Sequence, residues 1–97
     1  MKNYETVFIL NPALSEEQVQ KTVDKYEKSL KSNGAKIINK EVWGLKKLAY
    51  TIEKKNSGFY NLLEYTAPAE IVSSLELEFS RDETVMRYLT VTLDKHA

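Results

Sequence analysis

Apolar residues recur with two different periods along this chain, and each change of period marks an element. Tyr4-Glu5-Thr6-Val7-Phe8-Ile9-Leu10 is rich in β-branched and aromatic residues and reads as a first strand. Both of its parities are largely apolar, which predicts a central strand covered on both faces. Asn11-Pro12 ends it, because proline has no N–H to give a ladder. The period then lengthens. Val19, Val23, Tyr26 and Leu30 form one helical stripe, and the opposite face is Gln, Lys, Asp and Glu, with Glu27 and Lys31 paired at i,i+4. Ser15 and Gln18 make a capping box at its start, and Leu14 and Val19 are placed for a hydrophobic staple. Gly34 is the natural left-handed stop.

Residues 35–52 read as one long second strand. Leu48, Tyr50 and Ile52 alternate with Lys47, Ala49 and Thr51, and Trp43-Gly44 interrupts the alternation as a bulge would. Lys54-Lys55-Asn56-Ser57-Gly58 reads as a hairpin loop, with its glycine available for positive φ. Residues 59–65 are the third strand. Thr66-Ala67-Pro68 opens a second helix with proline at or near its first position, Glu70 at the positive end of the dipole, and Ile71, Leu75 and Phe79 repeating every four residues beside Val72. Arg81-Asp82-Glu83-Thr84 is a turn, residues 85–93 are the fourth strand, and residues 94–97 are expected to fray.

Strand–helix–strand, twice, with a hairpin between the halves, is the ferredoxin-like split βαβ arrangement of the α+β class, a single domain over residues 1–93. Right-handed crossovers place both helices on one face of a four-stranded antiparallel sheet. The other face stays open. Because strands one, three and four are apolar on both parities, that open face is expected to receive a partner; the blander alternative is a tolerably exposed sheet.

Charge adds an asymmetry that the total hides. The 97 residues carry 14 basic and 14 acidic side chains. Residues 36–55 hold six lysines against two acids, while residues 56–97 hold three basic side chains against seven acids. A segregated charge binds phosphate locally while the whole molecule remains neutral. The absence of Cys removes disulfides, thiolate ligands and cysteine nucleophiles. No apolar run approaches the roughly 20 residues that span a bilayer, and the strand pattern beginning near Met1 leaves no room for a signal peptide. A cytoplasmic protein without a membrane partner is the expectation.

Catalysis finds little support. His96, the one histidine, falls in the segment expected to fray, where it cannot act as an oriented base. Glu16-Glu17 sits where acids complement a helix dipole, and Asp82-Glu83 has no His or Cys beside it to complete a metal site. Three isolated glycines form no phosphate loop. No enzyme activity, cofactor, metal or small-molecule substrate is expected. The base-stacking RNA-binding version of this fold calls for Gly, an aromatic, a small residue and a second aromatic; Gly58-Phe59-Tyr60-Asn61 matches only the first step. What remains is electrostatic docking on structured RNA. Candidate phosphate ligands are Lys2, Lys46, Lys47 and Arg87. A solvated basic edge that discourages aggregation is the competing reading of the lysines. Arg87 shares its parity with Val85, Leu89 and Val91, so its guanidinium snorkels, pairs with an acid such as Glu5 or Glu64, or meets RNA. Trp43 and Tyr50 flank the basic pair, either as contact area for a sugar or protein neighbour or as packing under the kink.

Gly44-x-Lys46-Lys47-Leu48-Ala49-Tyr50-x-Ile52 resembles the signature of the family of the sixth protein of the bacterial small ribosomal subunit. Tyr4-Glu5, Asn11-Pro12, Gly34-Ala35, Gly58-Phe59-Tyr60, Arg81-Asp82 and Val85-Met86-Arg87-Tyr88 agree with it in order along nearly the whole chain. The resemblance implies a ribosomal protein that binds the central domain of small-subunit ribosomal RNA as a heterodimer with the eighteenth small-subunit protein. It carries over Lys46, Lys47 and Arg87 for RNA, with Lys2 beside them, and Leu48, Ala49 and Tyr50 as signature residues that are structural or partner-facing. Two departures stand out: Glu53 follows Ile52 where a basic or small residue is usual, and Asn61 puts an amide where an apolar residue is expected. A ligand-sensing or self-associating ferredoxin-like module is the alternative, and it would dimerise through the open face.

Overall fold

A computed structural model describes residues 1–52 and 54–93. Glu53, His96 and the tail 94–97, on which three of the expectations above fall, lie outside the described residues. The elements run β1 Lys2–Leu10, α1 Glu16–Ser32, β2 Lys36–Ile52, β3 Lys55–Ala67, α2 Ala69–Arg81 and β4 Val85–Thr92. The strands form one antiparallel sheet in the order β2-β3-β1-β4, so β1 is central, as its apolar parities predict, with β3 beside it, whereas β4, apolar on both parities too, is an edge strand. Tyr4, Phe8 and Leu10 of β1 and Phe59, Leu63, Tyr65 and Ala67 of β3 meet Val19, Val23, Tyr26 and Leu30 of α1 and Leu75 and Phe79 of α2 in one core. Both helices therefore cover the same face.

The caps follow the sequence closely. Ser15 Oγ accepts from the Gln18 amide, and Gln18 Oε1 accepts from the Ser15 amide. At the far end the Ala35 amide donates to Leu30 O and the Gly34 amide to Lys31 O, the paired bonds of a Schellman close, with Gly34 at φ +94°. A side-chain pin then ties α1 to the turn before β4. Asp82 Oδ2 accepts from the Tyr26 hydroxyl at 2.5 Å and from Lys25 Nζ at 3.2 Å, while Oδ1 accepts from the Thr84 amide and hydroxyl. Burial pushes the Asp82 carboxyl up, but the hydrogen bonds from Tyr26, Thr84 and Lys25 outweigh it and hold the pKa at about 2. One polar line crosses the interior: Thr6 Oγ1 lies 2.8 Å from the Tyr65 hydroxyl and 2.8 Å from Thr90 Oγ1, joining β3, β1 and β4.

Three details differ from the sequence reading. β3 begins at Lys55, so the hairpin turns earlier, with Lys54 and not a glycine at positive φ, +65°. Gly58 is buried inside β3, where an added Cβ would lie 2.4 Å from Ile9 Cγ2 and 3.1 Å from the Leu10 carbonyl oxygen; its job is close approach. Thr66 and Ala67 stay in β3 to pair with Asn3 and Lys2 and do not open α2, while Pro68, its N-cap, lies next to the first helical position as expected. Asn61 is fully buried, with Nδ2 donating to Phe59 O and Oδ1 without a partner among the described residues.

Candidate nucleic-acid interface

The open face can be laid out row by row, because residues directly opposite in antiparallel strands share a face. Running from β2 to β4, one row is Asn39, Glu64, Glu5 and Val91, and the next is Glu41, Leu62, Val7 and Leu89. The third is Gly44, Tyr60, Ile9 and Arg87, and beyond it Lys46 stands opposite Gly58. The bulge expected at Trp43-Gly44 is present, with Gly44 at φ +84° and a register shift between Val42 and Gly44. It lets the Trp43 ring stack on Tyr60, centroids 6.3 Å apart and 12° from parallel, while the indole N–H donates to Glu41. That bond, followed by one from Asn39, holds the Glu41 carboxyl below its ordinary value.

Past Lys47 the strand leaves its ladder. Lys47 pairs with Ser57 and Ile52 with Lys55, so residues 48–51 face a single residue of β3 and arch toward the sheet. Leu48 is buried under this arch, whereas Ala49 and Tyr50 are exposed. The regular alternation expected for Leu48, Tyr50 and Ile52 is broken here. Tyr50 reaches across to β4: the Arg87 guanidinium lies 5.4 Å from its ring centroid, and Arg87 Nη1 donates to its hydroxyl. Arg87 is thus held by a tyrosine, and no carboxylate among the described residues pairs with it. Ile9, Leu48, Ile52 and Tyr60 line a small, mostly apolar hollow together with Tyr50 and Arg87.

Lys46 and Lys47 are exposed and form no ion pair among the described residues. Lys40 differs. Its ammonium lies 3.0 Å from Glu27 and 3.3 Å from Asp24 of α1, and the Glu27 bond first among several contacts raises its pKa. It is a clasp between β2 and α1, its charge met by two carboxylates. The fold brings Lys46, Lys47, Tyr50 and Arg87 to one end of the sheet. Lys2 is not with them: it pairs with Ala67, nine residues along β3 from Gly58, or about 30 Å at strand rise. Sequence reasoning missed Tyr60 as the stacking partner of Trp43 and the juxtaposition of Glu5 with Glu64. Parity puts those acids on the open face; only the register puts them side by side.

The family model described as ribosomal protein S6 matches residues 3–92. The protein named small ribosomal subunit protein bS6 in Christiangramia forsetii is 64% identical over 97 residues, covering 100% of this chain and 87% of the relative. Its counterpart of the same name in Parabacteroides distasonis is 54% identical, covering 100% and 82%. Among solved structures, the crystal structure of 30S ribosomal protein S6 from Thermotoga maritima superposes with a TM-score of 0.89 at 27% identity, covering 94% of this chain and 86% of that one. The C-terminal domain of the MgtC protein from Mycobacterium tuberculosis shares the fold alone, with a TM-score of 0.63 at 12% identity and coverage of 95% and 87%.

Proposed function

The chain belongs to the ribosomal protein S6 family, and on that premise we propose that it docks on the central domain of small-subunit ribosomal RNA as a heterodimer with the eighteenth small-subunit protein. Its place is in the small subunit of the cytoplasmic ribosome, as a structural constituent and not an enzyme. The observation that supports the RNA contact is that Lys46 and Arg87 stand toward one end of the open face, with Lys47 at the same end on the alternate parity, all without carboxylate partners among the described residues. Lys46 and Lys47 are mobile point charges for phosphate. Arg87, steadied by Tyr50, presents a planar donor set in a fixed place. Trp43 and Ala49 lend apolar contact area beside them, and Leu48 supports the arch from below. Lys2, at the other end, reaches a separate phosphate.

Near-zero net charge fits a subunit that shares the electrostatic work with a partner. The test is titration of a labelled central-domain RNA fragment across a salt series, with and without the eighteenth protein. Tight, salt-sensitive binding that needs both proteins is the expected result. No binding, together with a self-dimer in light scattering, refutes it and favours a self-associating module.

A further inference from the structure

The hollow beside Arg87 combines an oily interior with a basic surround. It measures about 170 Å³; Ile9, Leu48 and Ile52 give it aliphatic walls, and Tyr50, Tyr60 and Arg87 add two rings and a guanidinium. Ile9 and Leu48 are each 7% exposed, whereas Tyr50 is 60% exposed and Arg87 is exposed as well, so a buried floor meets a solvent-facing rim. Among the described residues no carboxylate lines it and none pairs with Arg87. Lys46, opposite Gly58, stands two residues along β3 from Tyr60, about 7 Å at strand rise, and Lys47 follows it. Both lysines are exposed and without ion pairs among the described residues.

We infer that this hollow seats one unpaired base of the RNA, a guanine, while Lys46 and Lys47 hold the phosphates beside it. The inference rests on the RNA-docking reading and adds to it a pocket and a base. Size, charge and polarity choose the occupant. Pockets for free small molecules begin at roughly 300 Å³, so this one suits a single ring system that arrives tethered to a chain already bound nearby. The unpaired cations around it call for phosphate next to whatever enters, and an apolar peptide side chain brings none. The polar members offer donors. Arg87 Nη1 donates to the Tyr50 hydroxyl oxygen, which leaves the remaining guanidinium N–H groups and the Tyr50 O–H to give. Guanine carries two neighbouring acceptors, N7 and O6, that match a guanidinium, whereas adenine sets an N6 donor beside its N7. The aliphatic walls cover the faces of the ring. Bases in loops and bulges are free to turn out of a helix into such a site.

The test titrates the heterodimer of the full chain and the eighteenth small-subunit protein with central-domain RNA fragments. In these, each unpaired guanine in turn is replaced by an abasic site or by adenine. At one position both replacements lower the affinity of the wild-type heterodimer, the abasic site by roughly tenfold. Ala49 lines the hollow and is exposed, so Ala49→Trp fills the space while its urea midpoint stays at that of the wild type. This variant loses the same factor with unmodified RNA, and the abasic site then costs nothing further. Its logarithmic salt slope is unchanged, because the lysines keep their phosphates. Arg87→Lys keeps the charge and removes the fork, so it no longer tells guanine from adenine at that position. Full affinity at every abasic replacement overturns the inference and leaves RNA docking standing, as do losses from the abasic site and Ala49→Trp that multiply instead of overlapping. Undiminished discrimination by Arg87→Lys also overturns it. So does weaker binding of Ala49→Trp to the eighteenth protein without RNA, because the hollow then belongs to the protein contact. Failure of the wild-type heterodimer to bind unmodified RNA sinks the docking reading and this inference with it.

Discussion

Replacing Asp82 by Asn removes the charge from the pin between α1 and the turn into β4 while keeping the shape of the side chain. The amide is close to an isostere of the protonated acid, so the stability difference between wild type and Asp82→Asn tracks what ionisation contributes. The carboxyl has a folded pKa of about 2 against a reference of 3.8. A depressed folded value means stabilisation fully present above the unfolded pKa and lost as pH falls through the folded one. The gap corresponds to about 2.4 kcal/mol at pH 7, about 1.3 at pH 3 and about 0.4 at pH 2. The Asp82 side chain is only 12% exposed, so solvent screening trims these figures modestly; about 2 kcal/mol is the working value at neutral pH. Urea unfolding of both proteins at the three pH values measures it. A difference that stays constant with pH refutes the reasoning, since it would place the loss in packing and not in the charge. A difference below ~0.5 kcal/mol at pH 7 would show that the Tyr26 and Thr84 bonds merely replace water.

Lys46→Glu/Lys47→Glu should weaken RNA binding by the heterodimer and flatten its logarithmic salt slope by roughly 1–2; an unchanged slope in filter binding removes the lysines from the interface. Gly58→Ala should destabilise the sheet by about 1–3 kcal/mol, because the new methyl meets Ile9 and the Leu10 carbonyl; a thermal midpoint equal to wild type would show that β1 gives way cheaply. Leu30→Ala should cost about 2–5 kcal/mol, since Leu30 is 1% exposed in the core; a urea midpoint near wild type would contradict its place there.

What could be read from the sequence was what local chemistry determines. The Ser15–Gln18 box, the Val19–Leu30 stripe and the Gly34 stop depend on neighbours within one or two turns, and the structure has all three. Element order followed from the changes of period. The errors came from distance. Gly58 carries the chemistry of a turn, yet the fold uses its missing side chain to admit Ile9, 49 positions away in the chain. The arch of residues 48–51 obeys strand alternation in sequence and departs from it because Tyr50 finds Arg87, 37 residues on. Asp82 looked like an unremarkable turn acid until Tyr26, 56 residues earlier, was placed against it. For the candidate interface, the residue types were readable and their grouping was not: nothing local separates Lys2 from Lys46, or tells that Lys40 is tied to α1.

The hydroxyl line Thr6–Tyr65–Thr90 has a consequence for how the strands find their alignment. A slip of one residue turns every apolar side chain to the wrong face, so hydrophobic burial alone forbids it. A slip of two restores the alternation, so burial discriminates against it less sharply than against a slip of one. The hydroxyls do tell. Shifting either neighbour by two residues carries its oxygen about 7 Å from Thr6, leaving Tyr65 or Thr90 against hydrocarbon and a buried donor unmatched, at a cost of about 1–3 kcal/mol. Three hydroxyl side chains thus act as a vernier for β3, β1 and β4, fixing which residue of β4 faces which residue of β1 and so where Arg87 stands on the sheet.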